Sequence, residues 1–264
     1  MLKYLTGGES QGKSMIAILE GVPSGLSLEA NDIDDDLSRR QGGYGRGGRM
    51  SIERDRVEFV SGVRKGYSLG SPITMMVKNL DWENWKNVMS PESNIEGCEL
   101  KDKGNRLVTR PRPGHADLAG ALKYNHKDIR NILERSSARE TTVRVAVGAV
   151  CKKLLKELGI KVVSWVVEIG GARYELNDED RQKKWKNMFA KAERSEVRCP
   201  DKDVEKMMKS KIDEARKNRD TVGGTFEIIV ANVPPGLGSH VHWDKKLNAR
   251  LAGALMSIQA IKGV

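Results

Sequence analysis

Between Ser137 and Gly159 the chain has little choice but to form a long helix with one buried side. Val143, Val147, Val150, Leu154 and Leu158 recur at helical spacing, with Ala146 and Ala149 beside them. Ser137 followed by Glu140 is a capping-box pattern, in which the serine caps the first turn and the glutamate reaches back. Gly159 closes the segment. A helix this apolar needs a partner layer, and the sequence offers several. Segments 2–6, 56–62, 72–77, 162–169 and 225–231 read as strands. Segment 15–20, rich in Ile and Leu but short, fits a strand as well as a helix.

Other helices are predicted on the surface. Segment 31–40 places Ile33 and Leu37 on one face, with acids early and arginines late. Asp178–Ala192 is charged throughout. Segment 201–219 is amphipathic through Val204, Met207, Met208, Ile212 and Ala215. Asp244 is expected to cap a last helix with Leu247, Leu251, Leu255 and Ile258 inward. From Asp81 to Arg106 the polar sequence reads as loop, with Trp82 and Trp85 as packing anchors. Strands and helices alternate irregularly, so the fold class is α+β.

With aromatics at 5% and hydrophobics at 38%, the core must be aliphatic. The net charge of +10 points to an anionic partner or to a solvated lysine-rich surface. The aromatics are few and not interleaved with the basic runs, which weighs against a nucleic-acid-binding protein. Cys98, Cys151 and Cys199 are far apart and odd in number, so neither a zinc site nor a disulfide framework is expected, and a reducing cytoplasm fits. No signal peptide and no membrane span is expected.

Four stretches carry candidate chemistry. Segment 7–14 matches G-x-x-x-x-G-K-[ST], a phosphate-loop template. The template also needs a following helix, and only about six residues precede Gly21. A nucleotide-binding loop, another anion-binding loop and a plain glycine-rich turn stay open. Segment 41–49 has five glycines in nine residues and carries Arg46 and Arg49 after Arg39 and Arg40. It reads as a basic loop able to close over an anion, or as a linker. In Arg112-Pro113-Gly114-His115-Ala116-Asp117 a histidine sits on a stiffened turn among arginines. In Arg135-Ser136-Ser137 two hydroxyls and a helix start lie beside a cation, an anion-binding arrangement.

Taken in order, these stretches resemble chorismate synthase, specifically the bacterial branch whose loop reads R-R-Q-G-G-Y-G-R-G. Glu20-Gly21-Val22-Pro23, Ser61-Gly62-Val63, Gly70-Ser71-Pro72-Ile73, Val222-Gly223-Gly224, 233–238 and 256–263 add to the likeness, which covers essentially all 264 residues. The resemblance implies a single domain over 1–264 with a β-α-β sandwich of the chorismate synthase type. It implies a lyase of the shikimate pathway and of aromatic amino-acid biosynthesis. That lyase eliminates phosphate from 5-enolpyruvylshikimate 3-phosphate in a 1,4-anti sense to give chorismate. Reduced FMN is required without net redox change, and some members reduce it with NADPH. A cytoplasmic homotetramer is implied, with no nucleic-acid or membrane partner and no metal.

By motif match, Arg135, Ser136, Ser137, Gln259 and Ala260 are FMN-binding, and Arg40 and Arg46 contact NADP or substrate. Arg112, Arg139 and Ser10 join them as substrate-binding candidates, because a substrate with two carboxylates and a phosphate suits guanidinium forks. His115 matches a histidine proposed to protonate reduced flavin, a task suited to a near-neutral pKa. His126, His240 and His242 are expected to be structural. Two departures stand out. Gln11 replaces the histidine proposed to protonate the leaving phosphate, and glutamine is no general acid. The family pattern also continues past Val264, so the chain is expected to lack a C-terminal part that supplies further flavin contacts. A catalytically impaired flavin-binding relative is the alternative reading.

Overall fold

Antiparallel pairing with residues 3–7 on one side and 73–78 on the other settles the 15–20 ambiguity in favour of a strand. The computed structural model describes residues 2–46, 54–92 and 107–264. Gly47, Gly48 and Arg49 of the glycine-rich loop, Cys98, and the polar stretch 93–106 lie outside the described residues. In chain order the elements begin with β1 (Lys3–Gly7), β2 (Ser14–Glu20), α1 (Ala30–Gln41), β3 (Val57–Ser61), β4 (Val63–Arg64), β5 (Tyr67–Ser68), β6 (Ile73–Lys78) and α2 (Trp82–Met89). They continue with α3 (Asp117–Tyr124), α4 (Arg130–Leu133), α5 (Thr141–Glu157), β7 (Lys161–Ile169), β8 (Ala172–Arg173), α6 (Asp178–Ala192), α7 (Lys202–Asn218), β9 (Gly224–Ala231) and α8 (Leu247–Met256). The mixture is α+β, as the sequence led us to expect. The described residues form two units, one drawn from 1–37, 53–151 and 234–264, the other from 38–52 and 152–233.

In the first unit an antiparallel sheet runs in the order β1-β2-β6-β3, with β4 and β5 as a separate small hairpin. Met15, Ala17 and Leu19 of β2 pair in register with Val77, Met75 and Ile73 of β6, and all six are buried. Side chains alternate across a strand, so these six share one face. Ile33 and Leu37 of α1 and Val143, Ala146, Val147 and Val150 of α5 are buried too. Leu5, Ile16 and Ile18 are exposed.

The second unit has a three-stranded sheet, β8-β7-β9, with antiparallel neighbours. Val163, Trp165 and Val167 of β7 pack with Met188 and Ala192 of α6. Ala172, Val197, Cys199 and Met208 form a second cluster, joined by Tyr44, Val204 and Ile212. Asp201 caps α7 by accepting from the backbone of Asp203 and Val204. Phe226, Ile228 and Val230 of β9 stay exposed.

The structure corrects three local expectations. Trp82–Met89 is helical, not loop, and Asp81 accepts from Trp85 Nε1 at 2.8 Å and from Asn84 Nδ2 at 2.7 Å. Asp244 does not cap α8. It lies in a short 3-10 turn, Trp243–Lys245, beside His242 Nδ1 at 2.7 Å. Leu247 and Leu251 face outward, and no residue of α8 is fully buried. Their spacing is helical, but the packing partner that spacing anticipates is not among the described residues.

Candidate active site

The glycine-rich turn 8–13 joins two antiparallel strands, and no helix follows it. Gly8 has φ +98, and a Cβ there would lie 2.3 Å from the Ser14 carbonyl oxygen, so only glycine fits. A phosphate loop needs its backbone N–H groups free for the ligand. Here the Ser10 N–H donates to the Glu134 carbonyl at 3.0 Å, and the Gly12 N–H donates to the Glu9 carbonyl at 3.0 Å. The Gln11 N–H donates to Glu134 Oε2 at 2.7 Å. Asn79 Nδ2 holds the Gly12 carbonyl at 2.9 Å. The nucleotide-loop alternative therefore fails on both topology and donor availability.

Against this turn lies the segment that follows α4. The Arg135 guanidinium donates to the carbonyls of Thr6 (2.9 Å) and Gly8 (3.2 Å) and to Thr6 Oγ1 (2.6 Å). Ser137 Oγ donates to Ser10 Oγ at 3.1 Å. Ser136 Oγ donates back to the Ile132 carbonyl at 3.0 Å from the turn that follows α4. The expected capping box forms by half. Ser137 Oγ accepts from the Arg139 N–H at 3.3 Å, but Glu140 does not return to it. Glu140 accepts from Thr6 Oγ1 at 2.8 Å, from Gln259 Nε2 at 2.6 Å and from Arg144 Nε at 3.1 and 2.8 Å. Burial pushes this carboxyl up, yet the bonds from Gln259, Thr6 and Arg144 outweigh it and hold the pKa below the usual range. Ser10, Gln11, Arg135, Ser137 and Gln259, candidates from distant parts of the sequence, thus belong to one network.

The His115 turn is locked by an ion pair. Arg112 donates through Nε and Nη2 to the two oxygens of buried Asp117, each at 2.9 Å, and its backbone N–H adds a third bond at 2.9 Å. The Arg112 fork holds the Asp117 pKa down at about 2. Much of the guanidinium assigned to substrate is therefore engaged within the turn. His115 itself is exposed. Behind it α3 packs on α4 at Gly120, where a Cβ would meet Ile132 Cγ2 at 2.6 Å. A cleft of about 540 Å³ opens beside this contact, lined by Ala116, Lys123, Tyr124, His126, Arg135 and Ser136 among others. Arg139 is buried and paired with buried Asp55 at 3.2 Å.

Arg40 and Arg46 belong to the other unit. Arg40 is half-buried near the end of α1, and Arg46 is exposed. Tyr44 anchors the start of their loop. Its hydroxyl donates to Asp213 at 2.7 Å, its N–H donates to the Glu196 carbonyl at 2.9 Å, and Lys209 lies 5.3 Å from its ring centroid.

The flavin implied by the resemblance can be tested against these residues. Gln11 Oε1 and Gln259 Oε1 are buried acceptors with no hydrogen-bond partner among the described residues. Ala260 adopts φ +69, a conformation that L side chains rarely take and that clusters at ligand sites. A flavin ring edge offers an N–H donor to such acceptors, and its phosphate suits Arg135. The set fits. Among the described residues no cluster of His, Cys, Asp and Glu could hold a metal, and no helix is long and apolar enough to cross a membrane. Sequence reading missed Thr6 and Glu134 and misassigned the Glu140 carboxylate, because their partners lie more than a hundred residues away.

The family described as Chorismate synthase matches residues 2–264. A chorismate synthase of Geobacillus sp. (strain WCH70) is 56% identical over 263 residues, covering 100% of this chain and 66% of that protein. One from Shouchella clausii (strain KSM-K16) is 55% identical with the same coverage. A solved structure described as a crystal structure of chorismate synthase superposes with a TM-score of 0.80 at 44% identity, covering 99% of this chain and 67% of that one. The chain spans about two thirds of the length of the curated relatives it matches.

Proposed function

The chain belongs to the chorismate synthase family, and we propose that it binds reduced FMN and eliminates phosphate from 5-enolpyruvylshikimate 3-phosphate to give chorismate. The observation that carries this reading is the convergence of Ser10, Gln11, Arg135, Ser137 and Gln259 on one hydrogen-bonded network. Reduced FMN, when bound, would lend electron density to the substrate as its C–O bond to phosphate breaks, and that density would be returned when the ring proton is lost. Arg135 would hold the flavin's anionic part together with the Ser136 and Ser137 hydroxyls, once these turn from the Ile132 carbonyl and Ser10 Oγ, and Gln259 with Ala260 would contact its ring. His115, on a turn stiffened by the Arg112–Asp117 pair, holds a proton near the flavin. Arg40 and Arg46 meet the substrate's anionic groups or NADPH. Arg112 and Ser10 complete the substrate-binding set, whereas Arg139, buried against Asp55, is assigned to holding the fold. An anaerobic assay with photoreduced FMN and the enolpyruvyl substrate tests the proposal through chorismate absorbance. Absence of product at saturating flavin refutes it.

A second reading has its own support. Gln11 stands where the family carries a proton donor, and a carboxamide cannot donate a proton to phosphate at neutral pH. On this reading the chain binds flavin but turns over slowly. Tight FMN binding without chorismate formation separates it from the first. The exposed Leu5, Ile16 and Ile18 and the stripe Phe226, Ile228 and Val230 support self-association, proposed as a homotetramer. Light scattering coupled to size exclusion tests this. The free thiols of Cys151 and Cys199 suit the cytoplasm proposed for it.

A further inference from the structure

We infer that Glu140 is a positioning residue for the flavin site, fixing which atom of the Gln259 amide is offered to the ligand while tying Arg135 to the same anchor. The inference rests on the flavin reading given above. Glu140 is 3% exposed. As a carboxylate it only accepts, so the Gln259 group that faces it must be the NH2. The 2.6 Å bond from Gln259 Nε2 therefore turns Oε1 away from Glu140, and Oε1 is the buried, partnerless acceptor. The second grip on this segment is Arg144, which pairs with Glu140 at 2.8 Å and donates to Ser257 Oγ at 2.8 Å, two residues before Gln259. The third runs through Thr6, whose hydroxyl donates to Glu140 and accepts from Arg135. One carboxylate thus sets both segments assigned to FMN.

A neutral amide at position 140 changes this polarity. In Glu140→Gln the new NH2 can donate to Gln259 Oε1, which lets the Gln259 amide turn over and present its NH2 to the ligand in place of an acceptor. Both flavin and amide would then offer donors at the same place. FMN affinity is measured by flavin fluorescence quenching for the parent chain, Glu140→Gln, Gln259→Ala and the double variant, with thermal melting alongside. The expected result is a roughly 10- to 100-fold rise in Kd for Glu140→Gln, the size associated with losing a hydrogen bond in a charged network. In the Gln259→Ala background the same substitution should change Kd by no more than about 3-fold, since a residue acting through a partner loses its effect when the partner is gone.

An unchanged Kd in Glu140→Gln overturns the inference and leaves the flavin reading intact. Equal losses in both backgrounds also overturn it, because they mark a merely structural role. No FMN binding by the parent overturns the flavin reading and the inference with it. Should Glu140→Gln not fold, Glu140→Asp decides: its shorter side chain keeps the charge beside Arg144 but cannot span Thr6 and Gln259 together, so an unchanged Kd refutes the assignment.

Discussion

Arg139 offers the sharpest separation between a residue that holds the fold and one that holds substrate. Its guanidinium is 5% exposed and its partner Asp55 carboxylate 1% exposed, at 3.2 Å. At an effective dielectric near 20, two unit charges at this distance attract by about 5 kcal/mol. Desolvation of both groups cancels most of that gain. Removing one partner breaks the buried pair, which costs about 3–5 kcal/mol. For a chain of this size 1 kcal/mol moves the melting temperature by about 2–4 °C, so Arg139→Met should lower it by roughly 6–20 °C. Replacing the pair together, Arg139→Met with Asp55→Leu, should restore stability to within about 1 kcal/mol of the parent or above it. Thermal and urea melts of the parent, both single variants and the double variant close the cycle. A single variant that loses less than about 1 kcal/mol would refute the reasoning, since it would mean the pair is solvated. A stable double variant that has lost substrate affinity would return Arg139 to the role its motif suggests.

Gly120→Val places a Cβ 2.6 Å from Ile132 Cγ2, and the overpacked α3–α4 contact should lose roughly 1–3 kcal/mol in chemical melts. Asp117 has a folded pKa of about 2, depressed from 3.8, so its stabilisation is present above pH 4 and lost as pH falls through 2. Solvent reaches Arg112, which discounts this to about 1 kcal/mol, and Arg112→Met should move acid unfolding to higher pH, as followed by circular dichroism. Gln11→His restores a titratable proton donor beside the turn and should raise the anaerobic rate by about 10²-fold or more, with an unchanged rate showing that this proton is not limiting. Tyr44→Phe removes a solvent-exposed hydroxyl bond to Asp213 and should leave the melting temperature nearly unchanged.

The elements were legible where the signal is local. Asp178–Ala192 was legible from its unbroken run of charged residues, and the helix has those bounds. β2 was less legible: residues 15–19 are all apolar, and only the pairing with β6 shows that Met15, Ala17 and Leu19 face the core. The Leu247–Met256 helix was legible as a helix but not as a surface, because spacing reports a stripe and says nothing of what covers it. The candidate site was legible only as a set of motifs. Their joining depends on Thr6, Glu134 and Glu140, whose contacts span 119 to 134 positions and leave no periodic trace.

Glu140 shows why a local pattern can be present and still be overridden. A carboxylate has about four lone-pair sites. Thr6, Gln259 and the two Arg144 contacts already fill four. Reaching back to the Ser137 N–H would mean giving up one of these buried bonds for one that water can supply at a helix end. Leaving a buried donor unsatisfied costs about 1–3 kcal/mol, whereas a cap is worth about 1 kcal/mol. The distant partners therefore win, and the glutamate that the sequence assigns to its own helix instead ties together β1, the start of α5 and the Gln259 segment.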